Sequence, residues 1–394
     1  LTVKTTIDPT MQKVAEDAVR SQLDTLSMED LSMGMVVIDP STGYIKCMVG
    51  GYDYNADPNH VNHATAKRPV GSTFKAFTLA AAIQCGMNPN ITLNCNSPLT
   101  VKGGTAKVQN YANTSYGTIS LKQATAVSSN TAYIQVADAI GNDKVLSLIK
   151  KMGIDPSENN IEDVPVMTLG PGSISPLEMA SAYATFANGG YYRQPISITE
   201  INSRTGSVIY QHTDNPTHVL TAGEAAAVTD TLSGVMYGSG TGAAGALSVN
   251  QPFAGKTGTT DDNTNLWFCG YTPQLACALW TGYSAGEIPV RKNGADLFGN
   301  QTNLPVFKKF MDTVLAGTER KEFPTGTAPS YKNNSAWKFY GASNKKKDDE
   351  DEDKDKEEEE ETPGGSGNEG GNTGGGEGGG TTPTPDPKPS PDPN

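Results

Sequence analysis

RPVGSTFKAF, residues 68–77, sets a serine and a lysine three positions apart directly after a proline and a glycine. If Gly71 closes a loop and Ser72 opens a helix, Ser72 and Lys75 stand at i and i+3 on one face, where their side chains can meet. A serine hydroxyl is a weak nucleophile until a base takes its proton. Histidine is the usual base, but the four here are poorly placed. His212 and His218 fall in a polar, loop-like stretch, and His60 and His63 precede the motif without a G-x-S-x-G elbow. Lys75 is the better candidate. The partial positive charge of a helix N-terminus favours an oxyanion near Ser72 and disfavours the ammonium form, and burial pushes an amine further toward neutrality.

Spacing alone is weak evidence. S-x-x-K recurs at Ser147, Ser335 and Ser343, and S-x-N occurs at Ser128, Ser157, Ser248 and Ser366, whereas K-T-G occurs once, at Lys256. Taken singly, Ser72 reads as a helix cap, Ser128 and Asn130 as turn formers, and the glycine-rich YGSGTGAAGAL before Lys256 as a plain loop. The order Ser72/Lys75, Ser128/Asn130, Lys256-Thr257-Gly258 carries more: a helix start, a turn between helices, then a strand.

The surrounding pattern supports that placement. Asp8-Pro9 opens a capped helix to about Leu26. Apolar runs at residues 35–38 and 44–49 around Asp39-Pro40-Ser41-Thr42-Gly43 predict a β-hairpin. Residues 74–83 read as an alanine-rich helix, and LKQATAV and TAYIQVADAIG as helices flanking SSN. Ser175 with Glu178 and Thr221 with Glu224 are capping boxes ahead of two more. The period then shifts, and FAGKTGTT, NLWFCGYTP and QLACALWTGY read as short strands before a last helix in PVFKKFMDTVLAG. A sheet completed by segments distant in sequence, with helices covering it, is the expected α/β (α+β) architecture.

Of 43 acidic and 30 basic residues, sixteen and six fall from Lys345 onward, so most of the net charge of −13 belongs to that segment. The remainder is nearly neutral, which argues against a nucleic-acid partner. The acidic run, the glycine-rich run and the proline-rich ending of residues 345–394 have too little apolar surface to offset chain entropy, and predict a disordered, solvated tail. No run is long enough to span a membrane. The five cysteines are scattered and read as buried thiols. Walker and dinucleotide motifs, metal-ligand spacing and 20–50-residue repeats are not found.

S-x-x-K, S-D-N and K-T-G in this order form the signature of penicillin-binding proteins and class A β-lactamases, which this chain follows with SSN at the second. With TTIDPTMQKVAEDAV, MVVIDPSTGYIKCMVGG, SPLEMASAYATFANGG, AGKTGTTDDNTNLWFCGYTPQLACALWTGY and FPTG, residues 1–330 resemble the transpeptidase domain of a bifunctional (class A) penicillin-binding protein. The resemblance implies a five-stranded, mainly antiparallel sheet covered by helices, plus an all-helical subdomain. It divides the chain into a connecting strand and helix (1–33), the transpeptidase domain (34–330), an extension (331–344) and the tail (345–394).

The resemblance further implies Ser72 as the acylated nucleophile and Lys75 as its base. Ser128 would relay the proton to departing D-alanine, Asn130 would hold the substrate amide and Lys256 would set the local field. Thr257 and Thr259 would bind the terminal carboxylate, Gly258 would let the substrate backbone lie close, and the N–H groups of Ser72 and Thr259 would form the oxyanion hole. It calls for no cofactor and no metal. The implied partners are peptidoglycan stem peptides, donor D-Ala-D-Ala and acceptor amine, with β-lactams as covalent inhibitors. It implies a glycosyltransferase domain and membrane anchor upstream, and the extracytoplasmic face of the bacterial membrane as location. Three departures from the family stand out: His63 where an arginine is frequent, PVGST as the lead-in, and Ala76. A D,D-carboxypeptidase and a penicillin-sensing receptor domain share the motifs. A β-lactamase would need an ExxLN-like loop between the second and third motifs, which is not found, and SSN replaces SDN.

Overall fold

The computed structural model describes residues 1–53, 55 and 60–340; the tail expected over residues 345–394 lies outside them. In chain order the principal elements are β1 (Thr2–Thr5), α1 (Pro9–Leu26), β2 (Leu31–Asp39), β3 (Tyr44–Val49), α2 (Lys75–Gln84), α3 (Leu121–Ala126), α4 (Asn130–Ile140), α5 (Asn142–Lys151), α6 (Pro176–Ala187), β4 (Ile198–Asn202), β5 (Val208–Gln211), α7 (Ala222–Ser233), β6 (Ala254–Thr259), β7 (Leu266–Tyr271), β8 (Ala276–Tyr283) and α8 (Leu304–Val314).

Local chemistry starts these helices where the sequence expects. Asp8 accepts from the N–H groups of Thr10 and Met11, capping α1 behind Pro9. Both capping boxes close: Ser175 N–H donates to Glu178 Oε2 at 2.9 Å and Glu178 N–H returns to Ser175 Oγ at 3.2 Å. Thr221 and Glu224 repeat the exchange at 2.8 and 3.2 Å ahead of α7.

The main sheet runs β6-β7-β8-β2-β3, and each neighbouring pair is antiparallel. β2 pairs with β8 from Leu31↔Tyr283 to Ile38↔Ala276, so the early hairpin and the late strands make one sheet. Both alternating sets of side chains are buried on β7, because helices cover both faces. Phe268 packs on Phe307 of α8 with centroids 4.8 Å apart, and the oppositely directed Tyr271 packs on Tyr183 and Phe186 of α6. Beyond α6 lies α2, whose Phe77 meets the Tyr183 ring at 5.7 Å. α2 is buried from Lys75 to Ile83, a central helix with no solvent face to give an amphipathic signature.

Three features differ from the sequence expectation. β2 begins at Leu31 rather than near residue 35, since its first residues continue the pairing with β8. α5 was not foreseen, although buried Val145, Leu148 and Ile149 have helical spacing. The stretch expected to be loop around His212 contains β5, which joins β1 and β4 in a separate sheet of order β1-β4-β5. All four β5 residues are exposed, so there is no buried face to impose an alternating pattern.

Candidate active site

Ser72 lies in a 3-10 turn, Gly71–Phe74, and the α-helix starts only at Lys75. The sequence expectation of Ser72 as first residue of an α-helix is corrected by one tighter turn. Its cause is local: Gly71 has φ +53, and Thr73 Oγ1 donates to the Val70 carbonyl at 2.7 Å. Two distant side chains clamp the turn. Tyr183 Oη donates to Thr73 O at 2.7 Å from α6, and Trp267 Nε1 donates to Pro69 O at 2.8 Å from β7.

Ser128 occupies the junction between α3 and α4 with φ +58, a left-handed conformation unusual for serine. Ser129 caps α4 by accepting from Ala132 N–H at 3.2 Å and donates its hydroxyl to Asn110 Oδ1 at 3.1 Å. Asn130 is thus the first residue of α4, held at a defined angle to Ser128.

These elements converge on Lys75. Its Nζ lies 3.0 Å from Ser72 Oγ, 2.8 Å from Ser128 O, 3.3 Å from Ser128 Oγ and 2.6 Å from Asn130 Oδ1. The carbonyl and the amide oxygen can only accept, so they claim two N–H groups. In a neutral amine the remaining lone pair is then left for the Ser72 hydroxyl. Asn130 Nδ2 donates to Gln109 O at 2.7 Å, so its amide is oriented by the protein itself.

From the other side, Lys256 Nζ donates to Ser128 Oγ at 2.8 Å and to Thr257 O at 2.9 Å. Ser128 Oγ therefore sits between two amines. Complete burial holds Lys75 well below its ordinary pKa, with the charge of Lys256 adding to the effect, and burial lowers Lys256 to about 7. Burial thus favours the neutral form of both amines, and the repulsion between them adds to the lowering at Lys75.

β6 is the edge strand of the main sheet. A Cβ on Gly258 would fall 2.8 Å from both Thr73 Cγ2 and Val70 O, so glycine here lets the strand press against the serine turn. That necessity lies within the protein, in addition to the substrate approach expected from the resemblance. A Cβ on Gly71 would fall 2.5 Å from Thr259 O and 3.2 Å from Thr259 N, so the backbones of Gly71 and Thr259 pass in close contact, one residue before Ser72. One on Gly170 would overlap the Gly71 carbonyl. Thr257 Oγ1 is bonded to Thr241 Oγ1 at 2.6 Å.

The structure thus brings Ser72, Lys75, Ser128, Asn130 and Lys256 into one hydrogen-bonded set and lays residues 257–259 alongside. Sequence reading did not single out Tyr133, whose ring lies 5.6 Å from Lys75 Nζ, or Thr241. Tyr111, two residues beyond Gln109, meets Phe298 edge-on at 5.2 Å. The glycine-rich run around Thr241 was the one available signal, and it looked like a loop. His63 is buried and stacks on Trp280 at 4.8 Å, a packing role.

Residues 33–312 match the penicillin binding protein transpeptidase domain. The chain is 33% identical over 348 residues to penicillin-binding protein 1A of Mycolicibacterium smegmatis, an alignment covering 83% of this chain and 43% of that protein. It is 32% identical over 294 residues to penicillin-binding protein 2D of Bacillus subtilis, covering 72% and 41% respectively. The chain therefore spans about two fifths of the length of these relatives. Among solved structures, PonA1 of Mycobacterium tuberculosis in complex with penicillin V superimposes with a TM-score of 0.75 at 29% identity, covering 84% of this chain and 91% of that one.

Proposed function

The chain belongs to the penicillin-binding protein transpeptidase family, and from that premise we propose that it is a peptidoglycan D,D-transpeptidase working through an acyl-enzyme on Ser72. The observation that carries this reading is Lys75 Nζ at 3.0 Å from Ser72 Oγ, with Ser128 Oγ held between Lys75 and Lys256 at 3.3 and 2.8 Å.

In the first half-reaction Ser72 Oγ attacks the carbonyl carbon of the penultimate D-alanine, and its proton passes to the neutral Lys75 amine. The developing oxyanion lies between the N–H groups of Ser72 and Thr259, each worth a few kcal/mol by comparison with other acyl-transfer sites. Ser128, accepting from Lys256, gives its O–H proton to the departing nitrogen and is re-protonated by the Lys75 ammonium 3.3 Å away. The C–N bond breaks and D-alanine leaves. In the second, an acceptor amine attacks the ester, gives up a proton to the same relay, and Ser72 leaves re-protonated. The substrate's terminal carboxylate meets Thr257 and Thr259 beside Lys256, and its extended backbone lies along the β6 edge. A β-lactam opens at the equivalent C–N bond but keeps its leaving nitrogen attached, which is why the adduct persists. Such a substrate assigns the enzyme to the extracytoplasmic face of the bacterial membrane; among the described residues no helix is long and apolar enough to cross one.

Intact-mass analysis after exposure to benzylpenicillin tests the assignment. One adduct per chain is expected, and none on Ser72→Ala; an adduct that persists in that variant overturns Ser72 as the nucleophile.

A further inference from the structure

The glycine-rich run between Tyr237 and Leu247 has a built interior. Gly240 N–H donates to Tyr237 O at 3.0 Å and Gly242 N–H to Val235 O at 2.9 Å. A side chain at Gly240 does not fit, since its Cβ would overlap the Val235 carbonyl, and one at Gly242 would displace Met236 Sδ, 2.7 Å from the Cβ position. Between them, Thr241 is presented in one orientation. Its N–H donates to Ala126 O at 3.0 Å, at the end of α3 and two residues before Ser128. Its hydroxyl meets the Thr257 hydroxyl at 2.6 Å. One residue thus ties the helix-borne second motif to the strand-borne third through two separate hydrogen bonds.

A hydroxyl hydrogen is a rotor that settles on the best acceptor available. We propose that Thr241 is a positioning residue for carboxylate recognition: it donates its O–H to Thr257 Oγ1 and so turns the Thr257 hydrogen outward, toward the substrate's terminal carboxylate. The inference rests on the acyl-transfer reading of the site. An O–H accepting one hydrogen bond donates a stronger second one, so the chain Thr241, Thr257, carboxylate is reinforced along its length. The bond from Thr241 N–H to Ala126 O holds the donor at the correct distance whether or not substrate is bound. Thr241 does not touch the substrate.

The experiment compares acylation by benzylpenicillin, which carries the carboxylate, with acylation by its methyl ester, which does not. Thr241→Val is expected to reduce the second-order acylation constant for the acid about tenfold. The loss should fall on the concentration giving half-maximal rate and leave the maximal rate and the ester unchanged. Thr241→Ser, which keeps the hydroxyl, should recover the parent value within about twofold, and adding Thr241→Val to Thr257→Val should cost little more than the latter alone. Equal losses on acid and ester, or a serine variant as poor as the valine one, would overturn the proposal and make Thr241 a support of the loop only. A parent chain that forms no adduct with the acid would overturn the acyl-transfer reading itself.

Discussion

The helix-borne and strand-borne halves of the site are built differently. On the helical side Lys75 has four polar partners within 3.3 Å, and Asn130 is bonded at both ends of its amide. The strand side offers β6, the edge strand of the main sheet, with Lys256 reaching across to Ser128 Oγ and Thr259 at the partly exposed end of the strand. The first arrangement suits proton transfer, where a shift of a fraction of an ångström matters. The second suits recognition, where a β-strand can add to an unpaired edge. In the proposed reaction, chemistry and binding are thereby separated onto two elements that meet at Ser128 Oγ.

That separation can be broken by mutation. Lys75→Ala should have the largest effect, slowing acylation by roughly a thousandfold, within the range for loss of a general base; rates with a fluorescent penicillin measure it. If the variant acylated as fast as the parent, the base would lie elsewhere. Gly258→Ala, on the strand half, drives a methyl group against Thr73, Val70 and Trp267. It should destabilise the protein by about 1–3 kcal/mol in thermal or denaturant unfolding, as overpacking does, and lower acylation as the serine turn is displaced. An unchanged midpoint would mean that the turn and strand can part without cost. The smallest effect sharpens the comparison. Lys75 must be neutral to act as a base, so acylation rises with pH through its lowered pKa. The Lys256 cation helps depress that pKa, so Lys256→Gln should move the acidic limb of the acylation profile to higher pH. A limb that stays in place would show that burial alone neutralises Lys75.

The large features were legible because they rest on local chemistry or on burial. The three ordered motifs, both capping boxes and the apolar runs of β7 and β8 lead to the family and to its five-stranded sheet. What stayed hidden depends on contacts between distant segments. Ser128 adopts a left-handed backbone at the junction between α3 and the cap of α4, although serine does not ask for one. The 3-10 turn at Ser72, set locally by Gly71 and Thr73, is clamped by Tyr183 on Thr73 O and by Trp267 on Pro69 O just ahead of it, contacts spanning 110 and 198 residues. β5 has no buried face, and α5 carries only three buried apolar residues in a stretch dominated by charge and loop signals. Thr241 had no signal of its own, since a glycine-rich loop that is packed and one that is loose are written with the same residues.

The contacts at Gly71, Gly170 and Gly258 have an evolutionary consequence. At Gly71 and Gly170 main chain rests on main chain, and at Gly258 it rests on Val70 O and on the Thr73 and Trp267 side chains, so the placement of Ser72 follows largely from backbone contacts. Variation has little to work on there, because almost any new side chain collides. Variation has more room away from these contacts, at exposed residues such as Tyr111, whose ring meets Phe298 edge-on.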